Sequence, residues 1–484
     1  MSSAESSAQK STANGPSIKH LTKARVISVC SPAATAQPLA GKSRFNNLPP
    51  SQSSPEETNQ PHKNPRHETS SSSSSSTSLS SAPSAAAFVI ANNEDLLTQI
   101  LLYLPPKSLL RFQCVSKGWL SIISSPSFRS LHSRVYPTTT SSSAATKGLF
   151  LFRRRTWTDI PDLNFISFSE DYVNSMGNIV CHLSNYGKFT DIHSCNGLLA
   201  LAFMLDDYAR EFVVCNPTTR QHRLVPRLDF QEGGREFLAL NIVFDPLKSE
   251  HYKLVCAWCE QEMITNNFGQ LVPSDFHGFS VYASEKGSWR DSEDILEMED
   301  LYLPNYFRNG VLWNGNFHWV SDFEYCLCFD PDKEFFNLTM PLARWYFWSF
   351  GESGGCLYGI EINDPEAMLF DIFEMARDYS QWVLKCHVDL TPVTTLYPSM
   401  IDADCNPATD FRFNFHILYF LEDEKENRMR LLISLCGKII LYDINDKIVK
   451  ELAEVVPKDT DGDWWDSCFR WRDTYRHMET LATL

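Results

Sequence analysis

The chain has 484 residues, 43 Lys and Arg against 59 Asp and Glu, a formal net charge of −16 and 13% aromatic residues. Its length exceeds one ordinary domain and allows two or three folded units, while its acidity excludes a protein whose main ligand is a nucleic-acid backbone, because phosphate contacts need clustered Lys and Arg. No stretch approaches the roughly 20 apolar residues of a membrane helix, and the start of the chain holds no compact apolar block of the signal-peptide kind.

Residues 1–87 carry the run Ser70 to Ser76, scattered Pro and almost no aromatic side chains. Such a segment buries too little apolar surface to offset chain entropy and reads as a disordered Ser-rich tail. Glu5, Glu56, Glu57 and Glu68, with Lys outnumbering Arg, set it apart from an organelle transit peptide.

Aromatic and branched residues become dense from Phe88 onward. Residues 93 to 125 read as three short helices. Asn93 can cap the first, with Glu94 and Asp95 in its first turn where the helix dipole favours negative charge. Leu96, Leu97, Ile100, Leu101 and Leu104 recur at spacings of three and four and form a wide apolar stripe. Pro105-Pro106 stops this helix, and Pro106 can open the next, which carries Leu109, Leu110 and Phe112. Val115, Trp119, Ile122 and Ile123 share a face of the third, and Pro126 follows its end. A block this short cannot bury so many Leu side chains within itself, so part of its surface needs a partner.

From Gly148 to about Glu451 short apolar runs alternate with Asn, Asp, Gly and Pro, the pattern of many strands and few helices. A loose repeat is visible in Val214-Cys-Asn-Pro, Val243-Phe-Asp-Pro and Cys328-Phe-Asp-Pro, echoed without Pro by Leu369-Phe-Asp and Leu441-Tyr-Asp. Each reads as a strand ending in an Asn or Asp whose side chain can bond the backbone of the following turn. Units of this kind cannot bury their faces alone. Several four-stranded sheets arranged radially would absorb the irregular spacing through long loops, so the expected β domain is a degenerate propeller of about six blades, with a β-sandwich as the alternative.

The helical stretch from Asn93-Glu-Asp-Leu-Leu-Thr-Gln-Ile-Leu-Leu-Tyr-Leu-Pro-Pro to Trp119-Leu-Ser-Ile-Ile-Ser-Ser-Pro-Ser-Phe128 closely resembles the F-box of plant F-box proteins. The resemblance implies that the unit docks on a Skp-family linker, which joins it to a cullin scaffold and a RING subunit of a ubiquitin ligase. Carried over by position, Leu96, Ile100, Leu104, Pro105, Leu109, Val115 and Trp119 would form the docking surface and its support. One departure stands out: a Leu-Pro pair usually precedes the first helix, and this chain has Ala91-Asn92-Asn93 there, without the rigid lead-in turn.

Ser194-Cys-Asn-Gly-Leu-Leu, Asn216-Pro-Thr-Thr-Arg, Phe244-Asp-Pro with His251-Tyr-Lys, Val281-Tyr-Ala-Ser-Glu-Lys-Gly-Ser-Trp-Arg, Asn314-Gly-Asn-Phe-His-Trp and Phe329-Asp-Pro are similar to the F-box-associated domain of the same family, itself similar to kelch propellers. That resemblance implies recruitment of a protein to be ubiquitinated, without naming it. Aromatic residues expected on loops, Tyr306, Trp345, Trp348, Trp464 and Trp465, are candidate target anchors because aromatics dominate interface hot spots.

Rival chemistries fit less well. Gly351-Glu-Ser-Gly-Gly355 has the form of a hydrolase nucleophile elbow, but Ser353 is followed by the strand-like Cys356-Leu-Tyr-Gly-Ile-Glu-Ile where an elbow needs a helix. His318 and His387, the available triad bases, lie in strand patterns that favour packing roles. Cys256-Ala-Trp-Cys259 has no second ligand pair for zinc and ends a strand where a redox motif would open a helix. Arg153-Arg154-Arg155 reads as a solvated strand end. Asp206-Asp207, Glu297 to Asp300 and Asp459 to Asp463 lack the alternating ligands and central Gly of a calcium loop. Glu422 to Asn427 reads as a hairpin tip between strands at Phe415 to Phe420 and Arg430 to Leu435.

The sequence thus reads as an α+β multidomain chain: tail 1–87, three-helix F-box 88–135, linker 136–147, β domain 148–455 and a C-terminal extension 456–484. The expected function is that of a non-catalytic substrate adaptor in a Skp-cullin-F-box ubiquitin ligase, acting by proximity without a cofactor, metal, membrane or nucleic-acid ligand. The alternative is a propeller scaffold outside any ligase. Fourteen dispersed Cys without small-scaffold spacing fit reduced thiols, so a cytoplasmic or nuclear location is expected.

Overall fold

The computed structural model describes residues 25–27, 90, 93–139, 146–153, 162–168, 186–205, 209–228, 230, 234–265, 270–298, 307–320, 326–339, 347–364, 367–401, 413–423, 427–455 and 468–484. Residues 30–94 separate from the remainder, 1–29 and 95–484, as a distinct unit. Within the expected tail a short strand, Arg25–Ile27, pairs antiparallel with Ile295–Glu297. The rest of the tail up to residue 89 lies outside the described residues.

The helical block holds α1 (Glu94–Leu101), α2 (Pro106–Phe112), α3 (Lys117–Ser124) and α4 (Pro126–Thr139). The expected punctuation holds: Pro106 opens α2, and the Ser116 hydroxyl caps α3 by accepting from Trp119 N at 3.2 Å. The sequence reading ends the block at Pro126. That residue instead opens a fourth helix, as Pro can at a first helical position, and α4 runs through the start of the expected linker. Ser125 makes the junction, its hydroxyl accepting from Phe128 N at 3.2 Å and donating to Ile122 O at 2.9 Å.

The β domain is a six-bladed propeller, which settles the choice against a sandwich. Four blades are plain four-stranded meanders covering 188–225, 311–339, 347–389 and 415–454. Another, 236–291, the third in chain order, has a long central hairpin, Lys253–Thr265 with Leu271–Ala283, whose far half also pairs with Ile295–Met298. The remaining blade is built from both ends of the domain: Thr146–Arg153 pairs with Asp162–Ser167 on one side and Thr474–Met478 on the other. Thr474–Met478 is thus the innermost strand of the first blade, although the sequence places it in an extension beyond the domain. Pairing the two ends closes the ring and leaves no open edge there.

Inner strands meet around the axis and bond one another through side chains. Asp191, from the second blade, accepts from Leu240 N of the third at 3.1 Å and pairs with Arg308, which leads into the fourth, at 3.3 Å. His193 accepts from Ile242 N through Nδ1 at 3.1 Å and donates to Gly310 O through Nε2 at 2.8 Å. Arg476 of the first blade pairs with Glu352 of the fifth at 2.7 Å and donates to the Tyr419 hydroxyl of the sixth at 3.3 Å. Apolar cores fill the spaces between neighbouring blades, as in the layer of Phe279, Phe317, Trp319, Phe329 and Phe336.

The repeat anchors divide. Asn216, Asp330 and Asp443 end third strands, and each Oδ1 accepts two backbone amides of the next turn at 2.9–3.3 Å. Asp245 lies two residues beyond the first strand Glu236–Val243 and holds the turn there, accepting from Leu247 N at 3.0 Å. Asp371 is different: it lies inside the strand Leu369–Met375, paired with His387 across the sheet. The turn at the end of that strand is anchored by Asp378, which accepts from Ser380 N at 3.0 Å.

Candidate functional site

The helical block is organised by what it buries. Leu97, Leu101, Leu102, Leu109, Ile122, Ile123 and Phe128 form one core with Leu481 from the far end of the chain. Leu104, Leu110, Phe112 and Trp119 sit at its margin, with the Phe112 and Trp119 rings edge to face at 5.5 Å. The turn after α1 is pinned from α4. His132 donates through Nε2 to the Leu104 carbonyl at 2.8 Å, and its ring stacks against Phe128 and Tyr136. Burial lowers the His132 pKa, which keeps the imidazole neutral.

With that core filled, the block still exposes apolar side chains. Leu96 is 42% exposed, Ile100 48%, Tyr103 63%, Val115 58% and Leu120 46%. Leu96, Ile100 and Tyr103 follow at steps of four and three along one side of α1 and its terminal turn. The residues picked out by sequence therefore sort by role. Leu96, Ile100, Pro105 and Val115 are exposed, Leu104 and Trp119 are half-buried, and Leu109 is fully buried beneath them. Tyr103 and Leu120 belong with the exposed group and were missed. For Tyr103 the signal was its seven-residue step from Leu96. A largely apolar surface of this kind is suited to burial against a complementary apolar surface.

The propeller carries a second feature, a cavity of about 670 Å³ at the axial end where first strands terminate. Its wall includes Trp313, Tyr419, Glu352, Arg476, Lys253 and Trp471. Three of the charged groups here, Lys253, Arg476 and Glu352, are paired. Lys253 donates to Pro331 O at 3.1 Å and to Asp332 at 2.5 Å, while Arg476 pairs with Glu352, whose other oxygen accepts from Gly355 N at 2.8 Å. Among the described residues no group of three or more His, Cys, Asp or Glu is placed to hold a metal.

The enzymatic alternatives find no geometry. Ser353 ends one strand and its successor Cys356–Asp364 is a strand, as the sequence indicated. The Ser353 hydroxyl is buried and accepts from Glu422 N at 3.0 Å. His318 is fully buried, donating to or accepting from the Tyr379 hydroxyl at 3.2 Å, with its pKa lowered to about 4 by desolvation. His387 is on an outer strand beside Asp371 at 2.6 Å. Cys256 and Cys259 are buried free thiols, and burial raises both, Cys259 to about 11, which suppresses thiolate chemistry.

The candidate target anchors Tyr306, Trp345, Trp464 and Trp465 lie outside the described residues, and Trp348 is described only as part of the strand Phe347–Ser353. Of the other acidic and basic clusters, Asp206-Asp207, Asp459 to Asp463 and Arg154-Arg155 also lie outside them. A hairpin does join Phe415–Asp423 to Arg428–Leu435, but its strands run further than expected: Glu422 and Asp423, placed by the sequence in an exposed tip, lie within the first strand, Asp423 buried and Glu422 paired with Lys385 at 2.6 Å. No described helix is long and apolar enough to cross a membrane.

Comparison with known proteins agrees with both modules. Residues 93–131 match the F-box domain, and residues 157–470 match the F-box associated beta propeller domain. The F-box protein At5g07610 of Arabidopsis thaliana is 29% identical over 82% of this chain and 93% of its own length. Putative F-box protein At1g53370 of the same plant is 26% identical over 59% of this chain and 71% of its own length. The F-box protein CPR1, also from Arabidopsis thaliana, is 27% identical over 47% of this chain and 52% of its own length. With a short helical block that exposes apolar side chains, a six-bladed ring following it, and sequence matches spanning both, the chain belongs to the F-box proteins that carry an F-box-associated β-propeller domain.

Proposed function

We propose that this protein is the substrate-recognition subunit of a Skp-cullin-F-box ubiquitin ligase. The observation that carries this reading is the uncovered apolar side of the helical block, Ile100, Tyr103, Val115 and Leu120, lying over a core that is already filled. On this reading Leu96, Ile100, Pro105 and Val115 dock on a Skp-family linker, supported from beneath by Leu104, Leu109 and Trp119. The linker joins the chain to cullin and RING subunits, and the propeller binds the target. The chain itself performs no covalent step. It raises the effective concentration of target lysines near the charged conjugating enzyme. The buried free cysteines suit a reducing compartment, the cytosol or nucleus.

The test is a pull-down of the purified chain with a Skp-family linker, beside an Ile100→Asp, Val115→Asp variant. These two positions are exposed, so the substitutions leave the core intact. Binding that the double change abolishes supports the reading. An intact chain that fails to bind the linker overturns it in favour of a propeller scaffold outside the ligase, with the absent Leu-Pro lead-in as the first feature to restore.

A further inference from the structure

The segment Glu479–Leu484 has no regular secondary structure, yet its centre is buried: Thr480 is 7% exposed, Leu481 1% and Ala482 7%. An irregular stretch in that position must have its backbone polar groups answered, and three of them are answered from the propeller. Asn216, at the end of a third strand in the second blade, donates through Nδ2 to the carbonyls of Thr480 and Ala482 at 3.1 and 2.8 Å. Thr480 N donates to the Thr218 hydroxyl at 3.3 Å, and Ala482 N to the Thr480 hydroxyl at 3.1 Å. Gly197 lies so close that a Cβ there would sit 2.6 Å from Thr480 Cγ2 and 2.7 Å from Met478 O.

The side chains of this segment divide between the two modules. Ala482 joins the core between the second and third blades, with Leu484 packed at its edge. Leu481 points the other way and completes the core of the helical block among Leu97, Leu101, Leu109, Ile122, Ile123 and Phe128. One short stretch of backbone is thus bonded to the ring while its central side chain fills the F-box.

We propose that Glu479–Leu484 is a clasp that locks the F-box to the propeller in a single orientation, with Leu481 as its bolt. Through this segment the orientation of the F-box is tied to that of the ring, which fixes where a target held on the propeller lies relative to the partner of the F-box. The clasp acts within the chain and stands whether or not the linker reading is correct.

The experiment is hydrogen exchange with limited proteolysis on the full chain, comparing wild type, Leu481→Ala and the milder Leu481→Val. Amides of α1 to α4 should exchange roughly 30-fold faster in Leu481→Ala, the equivalent of losing a buried Leu side chain, and less so in Leu481→Val. Cleavage within residues 140–145 should accelerate in the same order, while amides of the inner propeller strands keep wild-type protection. Unchanged helical protection in both variants would overturn the proposal. So would equal acceleration in helices and propeller for Leu481→Val, since the segment would then be general core and not a tie between modules.

Discussion

The side-chain amide of Asn216 donates to the carbonyl of Ala482 over 2.8 Å, joining the end of a third strand to the segment that follows the last strand of the ring. The same side chain accepts from Thr218 N and Thr219 N and so holds its own turn. Asn216 is 0% exposed, and every polar atom of its side chain is in use. Asn216→Ala would orphan two buried carbonyls and two turn amides, at about 1–3 kcal/mol for each buried group left unsatisfied. The expected result is a clear fall in the urea midpoint with an unchanged slope. Asn216→Asp should be nearly as damaging, because it keeps the turn but loses the donor.

The axial pair of Asp191 and Arg308 is nearly inaccessible, with side chains 2% and 9% exposed. Asp191 holds the Arg308 pKa above its ordinary value despite the opposing effect of burial. Removing one partner leaves a buried charge uncompensated, so Asp191→Asn should destabilise by about 3–5 kcal/mol. Replacing both, as Asp191→Leu with Arg308→Met, should restore most of that loss. A double variant no more stable than the single would show that the pair does more than neutralise itself.

Five buried histidines, His132, His193, His277, His318 and His477, are held below their ordinary value by desolvation and make stability depend on pH. Desolvation lowers His193 and His318 to about 4 and His477 to about 3 from an ordinary 6.5. The unfolded chain therefore binds more protons than the folded one between roughly pH 6.5 and 4. The stabilisation is full above the unfolded value and is lost as pH falls through that window, at about 1.4 kcal/mol per pH unit for each histidine, or about 4 for the three lowered furthest. Urea midpoints from pH 7 to 4.5 measure it, and His193→Gln should flatten the dependence by removing one of the contributing groups.

On the helical block, neighbouring residues should behave in opposite ways. Leu101→Ala removes a fully buried side chain and should cost about 2–5 kcal/mol. Ile100→Asp, one position earlier and 48% exposed, should leave the melting temperature nearly unchanged while abolishing linker binding. Equal loss of stability in both would show that the Ile100 side chain is already committed within the chain.

Local signals carried much of this architecture into the sequence. The Pro pair after Leu104 and the three-and-four spacing of Leu96 to Leu104 mark α1, because caps and period act within a few residues. Asn216, Asp330 and Asp443 mark turns through bonds to their own neighbours. Asp371 shows the limit, since its short motif is the same but its strand continues past it. Thr474–Met478 was illegible for another reason. Thr-Tyr-Arg-His-Met lacks a clean alternation, and its pairing partner, Thr146–Leu151, lies at the opposite end of the domain. Nothing near Leu481 announces that it belongs to the F-box core, because the residues that bury it precede it by most of the chain.

The pairing of Thr474–Met478 with Thr146–Leu151 also fixes an order of events during synthesis. Chains emerge at about 5–20 residues per second, so an interval on the order of tens of seconds separates the helical block from the strand that shuts the ring. Through that interval the first blade has an uncovered inner edge and the F-box core an empty place. The ring can shut only once Thr474–Met478 is made and the F-box core can fill only after Leu481, so a nascent chain that stalls short of Thr474 presents both defects together to the chaperones and proteases that survey it.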